Sequence, residues 1–155
     1  MTGWQWVKVV GNCLNLSTLV GLLVGVIGRA RFSWGPRGLV FANGYKIPFP
    51  VAGAFTVGNV VLSKHERAYF DDEALVRHEE RHSWQYFCLI GLLLWPMYVV
   101  GVVVSWLLTG DPASRNPFER LANLKDGGYA ERPIQSFGQT LTQTFSGRRS
   151  RPKAQ

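Results

Sequence analysis

Two long runs in this chain carry no charged residue. The first covers residues 9–28, where leucines, valines and Ile27 are diluted by Asn12, Asn15, Ser17, Thr18 and four glycines. It predicts a single apolar helix of about the 20 residues that a bilayer core requires. Gly21 and Gly25, four positions apart, give that helix a smooth face for a close helix neighbour. Only Lys8 precedes the run closely and no small-x-small site follows, so it does not read as a secretory leader. The second run covers residues 83–110, with Pro96 at its middle between Gly91 and Gly101. A proline inside a helix removes a backbone donor and crowds the preceding turn. The run is therefore either one kinked span or a helical hairpin.

Between the runs the pattern changes. Leu39-Val40-Phe41, Asn43-Gly44 and Tyr45-Lys46-Ile47 predict a β-hairpin, because Asn-Gly suits a type I′ turn. Pro48 and Pro50 end it. Residues 54–62 predict a further strand, with Gly58 as a bulge. Asp71-Asp72-Glu73 opens a helix with carboxylates at its positive end. Asn116-Pro117 starts another, as a cap followed by a proline at the first helical position. The expected architecture is α+β, in one membrane-associated domain over residues 1–132. Its parts are an apolar helix at 9–28, a small antiparallel sheet within 37–63, helices at 72–94 and 97–109 forming the hairpin, and a short helix at 116–125. Residues 133–155, ending SGRRSRPKAQ, read as a polar, basic, disordered tail.

Composition narrows the function classes. Of 155 residues, 46% are apolar and 17% charged, against about 25% charged in ordinary soluble domains. That excludes a multidomain enzyme and extensive disorder, and long polar stretches exclude a polytopic membrane protein. The net charge is +7, and most of the excess lies between Arg115 and the C-terminus. A basic flank beside an apolar run fits the cytoplasmic face of a membrane, so membrane lipids are expected partners. No aromatic–basic interleaving or helix-turn-helix pattern accompanies the charge, so nucleic acid is not an expected partner. Cys13 and Cys88 lie in apolar runs without metal or disulfide spacing and read as small buried thiols.

The chemistry concentrates in His78-Glu79-Glu80-Arg81-His82, an H-E-x-x-H on the predicted helix. Histidines at i and i+4 project from one helix face and can share a metal. Glu79 can reach a water in the metal's open position and serve as general base. The competing reading is a solvated helix face laced with ion pairs.

With Asn116-Pro117-Phe118-Glu119 downstream, the sequence resembles the gluzincin metallopeptidases, which combine H-E-x-x-H with a glutamate on a following helix. It is also similar to small bacterial membrane proteins that pair H-E-x-x-H with an N-P-F-E segment. The gluzincin resemblance implies zinc (Zn2+) held by His78, His82 and Glu119, with Glu79 as catalytic base. It also implies that strand 54–62 runs as a substrate-holding edge strand above the active-site helix. Where many members carry an aspartate four residues after the ligand glutamate, this chain has Asn123.

A straight helix over 83–110 would be about 40 Å long, and the nine residues from Gly110 to Glu119 span roughly 30 Å at most. Glu119 as a ligand therefore requires the chain to reverse near Trp95-Pro96, in a hairpin some 16–20 Å deep. Arg77 and Arg81 before the run, Arg115, Arg120 and Lys125 after it, and Arg29, Arg31 and Arg37 behind the first run place these flanks in the cytoplasm. His65 reads as an exposed loop residue and Tyr129 as a packed aromatic or a phenol donor. Trp84, Trp95 and Trp106 read as interface or packing residues. The expected function is a zinc-dependent hydrolase in the cell membrane with its site facing the cytoplasm, most simply a peptidase acting on a protein or peptide. The alternative is a non-enzymatic membrane subunit or scaffold that docks a membrane-protein partner and binds metal without turnover.

Overall fold

In the computed structural model, which describes residues 1–50, 52–65 and 71–135, the first apolar run is two helices. Helix α1 (Gly3–Leu14) begins six residues earlier than the pattern suggests, because Thr2 and Gln5 close a reciprocal capping box. Leu16 then takes a left-handed conformation and α2 (Ser17–Ile27) leaves at 72°. Short polar side chains make the break. The Asn15 Oδ1 accepts from both the backbone N–H and the hydroxyl of Ser17, and the Ser17 hydroxyl also donates to the Asn12 carbonyl. Such local bonds compete with the helical ladder.

The sheet contains β1 (Arg31–Trp34), β2 (Val40–Asn43), β3 (Ala54–Val57) and β4 (Val60–Ser63) in the order β1-β2-β4-β3. It is mixed rather than antiparallel, since β2 and β4 pair in parallel while the outer pairs are antiparallel. The Asn43-Gly44 hairpin does not form. A type I′ turn needs positive φ at both central residues, but only Gly44 has it, and Asn43 belongs to β2. Tyr45 instead donates its N–H to Ser63 and Lys46 donates to Gly28, which draws the chain out of the sheet. The hairpin lies at Gly58-Asn59, where a bulge was expected, and joins β3 to β4 in register Val57↔Val60.

Alternation along β4 decides what packs on each face. Val61 joins Leu39, Phe41, Leu75 and Val76 in the core, while Val60 faces α2. A methyl on Gly21 would come within 2.9 Å of Val60 Cβ and one on Gly25 within 2.6 Å of the Phe32 ring. The small face of α2 therefore serves close approach to the sheet rather than to another helix. With both faces covered, β4 is buried throughout, which explains its unbroken Val-Val-Leu run.

Helix α3 (Glu73–Cys88) is capped by Asp72, whose side chain accepts from the Ala74 N–H. It ends at Leu89. Ile90 and Gly91 both have positive φ, and a 3-10 turn at Gly91–Leu93 leads into α4 (Leu94–Thr109). The expected break at Pro96 is thus displaced to Leu89–Leu93. Pro96 falls in the first turn of α4, where a missing N–H costs nothing because helix starts have no partner for it. Residues 91–109 are by length and composition apolar enough to cross a membrane, at mean hydropathy 2.0.

By its contacts the chain divides into two compact units, residues 1–95 and 96–155. In the second, Gly110 (φ 68) turns the chain, and the segment after it lies along α4. The Ser105 hydroxyl donates to the Asp111 carbonyl and accepts from the Arg115 N–H. Asn116 and Pro117 fit so closely over Gly101 that a Cβ there would lie 2.6 Å from Asn116 Oδ1. Asn116 caps α5 (Pro117–Leu121) by accepting from the Phe118 N–H. Arg115 and Arg120 both pair with Glu131, and the Arg120 hydrogen bond, followed by the two guanidinium charges, holds the Glu131 carboxyl below its ordinary range. Both cysteines are exposed rather than buried. The expected tail over 136–155 lies outside the described residues.

Candidate metal centre

The H-E-x-x-H segment occupies the middle of α3, and its polar residues point inward. His78, Glu79, Glu80 and His82 are all buried, which removes the solvated-face reading. One helical turn apart, His78 and His82 bring their Nε2 atoms to 3.0 Å, with ring planes 83° apart. The Nδ1 of His82 lies 2.9 Å from Gln85 Oε1. An amide oxygen accepts, so this contact places the His82 proton on Nδ1 and leaves the Nε2 lone pair facing His78. Zinc–nitrogen bonds of about 2.0–2.1 Å at a tetrahedral angle put two nitrogens about 3.3 Å apart. The observed separation needs only a slight opening to hold one cation between the rings.

Glu79 is held from the sheet. Edge strand β3 packs against α3, and Thr56 donates its hydroxyl to Glu79 Oε2 at 2.6 Å. This is the strand expected above the helix, although it runs only over Ala54–Val57.

Behind the helix, two polar clusters fix its position. Asn12 donates to Asn59 Oδ1 and to the backbone and side-chain oxygens of Ser83, while Ser83 donates to the same Asn59 oxygen and Asn59 donates to Thr18. Asn12, Asn59 and Ser83 are almost fully buried, so each bond replaces one lost to water. This network ties the α1–α2 bend and the β3–β4 turn to the residue after His82. The second cluster surrounds Glu80. Lys8, fully buried, lies 3.7 Å from Glu80 Oε1 and donates to the Arg37 carbonyl, and Arg37 bonds Glu80 Oε2 at 3.0 Å. Removing one partner of a buried ion pair costs about 3–5 kcal/mol, because the other charge is left stranded. Glu80→Gln is expected at the lower end of that range, since Arg37 is partly exposed. A lower urea midpoint in detergent is the readout, and an unchanged midpoint would show that the cluster carries no stability.

Further along α3, burial pushes the Tyr86 phenol above its ordinary range, and its oxygen accepts from Trp95 Nε1.

Glu119 belongs to the second unit. It is 2% exposed on α5, and Tyr98 donates its hydroxyl to Glu119 Oε1. The Tyr98 and Phe118 rings lie 6.0 Å apart beside it. Asn123 is exposed at φ 69 just past α5, in the left-handed place where helices stop. His65 is exposed, and Tyr129 is half-buried beside Arg120 and Leu124 in a surface groove. The residues that sequence reasoning missed are Thr56, Gln85 and Tyr98. Gln85, at i+3 from His82, was open to the helix-spacing argument. Thr56 and Tyr98 act across long sequence separations and leave no local signal. No protein-family model, curated protein or solved structure matches this chain.

Proposed function

We propose that this protein is a membrane-associated, zinc-dependent hydrolase acting on peptides, with His78, His82 and Glu119 as metal ligands and Glu79 as base. The observation that carries the reading is the convergence of the two Nε2 atoms beside a carboxylate held by Thr56. Two neutral imidazoles and one carboxylate, each offering a single ligand atom, are a donor set that zinc takes in hydrolytic sites. Glu119 suits the role because its carboxylate is buried and already oriented by Tyr98.

When bound, zinc lowers the pKa of a water to about 7 and polarises a carbonyl. The chain's own residues do the remaining work. Glu79 takes a proton from the attacking water and delivers it to the departing amine, while Thr56 keeps the carboxylate from rotating away. Gln85 holds the tautomer in which His82 Nε2 is a ligand. Strand β3, at the edge of the sheet, has one ladder open to an extended peptide. Exposed apolar residues on α1, α2 and α4, such as Trp4, Leu14, Leu23 and Val100, support contact with a membrane. The basic flanks support a site on its cytoplasmic side.

Zinc-loaded protein in lipid or detergent should cleave members of an unstructured peptide library, lose that activity to a chelator and regain it with zinc. Full zinc occupancy with no cleavage would overturn the hydrolase and leave the metal-binding scaffold.

A further inference from the structure

The two sides of α4 differ in what covers them. Tyr98, Gly101, Ser105 and Thr109 form one stripe along the helix, spaced by three or four residues. The chain after Gly110 covers this stripe in antiparallel order: Asp111 at Thr109 and Ser105, Arg115 at Ser105, Asn116 at Gly101, Glu119 at Tyr98. The opposite stripe is Val99, Val100, Val103, Val104, Leu107 and Leu108, each between 36% and 62% exposed. Length and composition alone would let this helix cross a bilayer. Its cover argues otherwise. Residues 110–116 form no helix or strand and the covering segment carries Asp111, Arg115, Glu119 and Arg120. A spanning α4 would draw that irregular, charged chain into the hydrocarbon alongside it, where backbone and charge are both disfavoured.

We infer that α4 lies along the surface of a lipid bilayer rather than across it, with the Val99–Leu108 stripe facing the acyl chains and the Asp111–Glu119 segment facing water. This rests on the membrane contact in the function proposed above but not on its chemistry. Helix α4 itself carries no charge; the charged segment packed along its other side supplies the polar face that an interfacial anchor needs. Residues 136–155 add four basic residues and no acidic one, which makes an anionic leaflet the fitting surface.

Depth measurement on the full chain tests this. Spin labels on Val99→Cys, Val103→Cys or Leu107→Cys, each with Cys13→Ser and Cys88→Ser, would be read with the protein on phosphatidylcholine–phosphatidylglycerol vesicles. An in-plane helix puts all three labels at one shallow depth, about 5–10 Å below the headgroups. A crossing or steeply dipping helix changes depth by about 6 Å per label, and that gradient would overturn the inference while leaving the membrane contact intact. Labels that stay in water, with no vesicle binding by flotation, would overturn both. Labels buried without lipid in a soluble dimer would assign the stripe to a second copy of the chain and overturn the inference. Circular dichroism matching the unlabelled protein establishes that each variant is folded.

Discussion

Exchanging Glu79 for glutamine is expected to leave zinc content unchanged and to cut peptide hydrolysis by a factor on the order of 10²–10⁴, the usual contribution of a positioned general base. Glutamine has nearly the same shape and keeps an oxygen to accept from the Thr56 hydroxyl that now bonds Glu79 Oε2. The α3–β3 contact therefore survives, and what disappears is the capacity to take a proton. Measuring kcat and KM separately sharpens the result. A base acts on the reacting water, so the loss belongs in kcat, with KM little changed. A fall in zinc content instead would mean that Glu79 is a ligand or a packing residue. Unchanged kcat would remove it from the chemistry.

The second large effect concerns Glu119. Its replacement by alanine should weaken zinc binding by more than the roughly 10–100-fold that follows loss of a group merely orienting a ligand. His78→Ala should do at least the same. The two changes perturb the fold differently. His78 lies in the middle of α3, among its buried residues. Glu119 stands on a five-residue helix whose start is fixed independently by the Asn116 cap and Pro117. A loss of metal in Glu119→Ala with an unchanged helical signal is therefore a statement about ligation. Retained affinity would leave His78 and His82 as a two-ligand site and remove the resemblance's third ligand.

Much of the local structure was legible because it depends on short-range rules. Asp72 and Asn116 cap the helices that their side chains announce, and H-E-x-x-H lies on α3 as its spacing requires. Gly58 marked a departure from a straight strand, although the departure is a turn rather than a bulge. Long-range pairing was not legible. The parallel register of β2 with β4 rests on contacts twenty residues apart in sequence, and Arg31–Trp34 becomes a strand only because β2 is there to pair with it. Pro96 misled because a proline ends a helix only from its interior, and here it stands in the first turn. A reversal at Trp95-Pro96 is required only of an unbroken helix over residues 83–110. With α4 limited to Leu94–Thr109, about 24 Å long, the chain doubles back along it after Gly110. Glu119 could be nominated from the sequence. That Tyr98 would orient it could not, since a tyrosine in an apolar run carries no sign of its partner.

The central claim, that His78, His82 and Glu119 hold one zinc, is tested most directly by elemental analysis of the protein purified without added metal or chelator, alongside Glu119→Ala and His78→Ala. The account predicts about one zinc per chain in the unaltered protein and its loss from both variants. A metal-free protein that stays empty after zinc is supplied, or full occupancy in both variants, would contradict it.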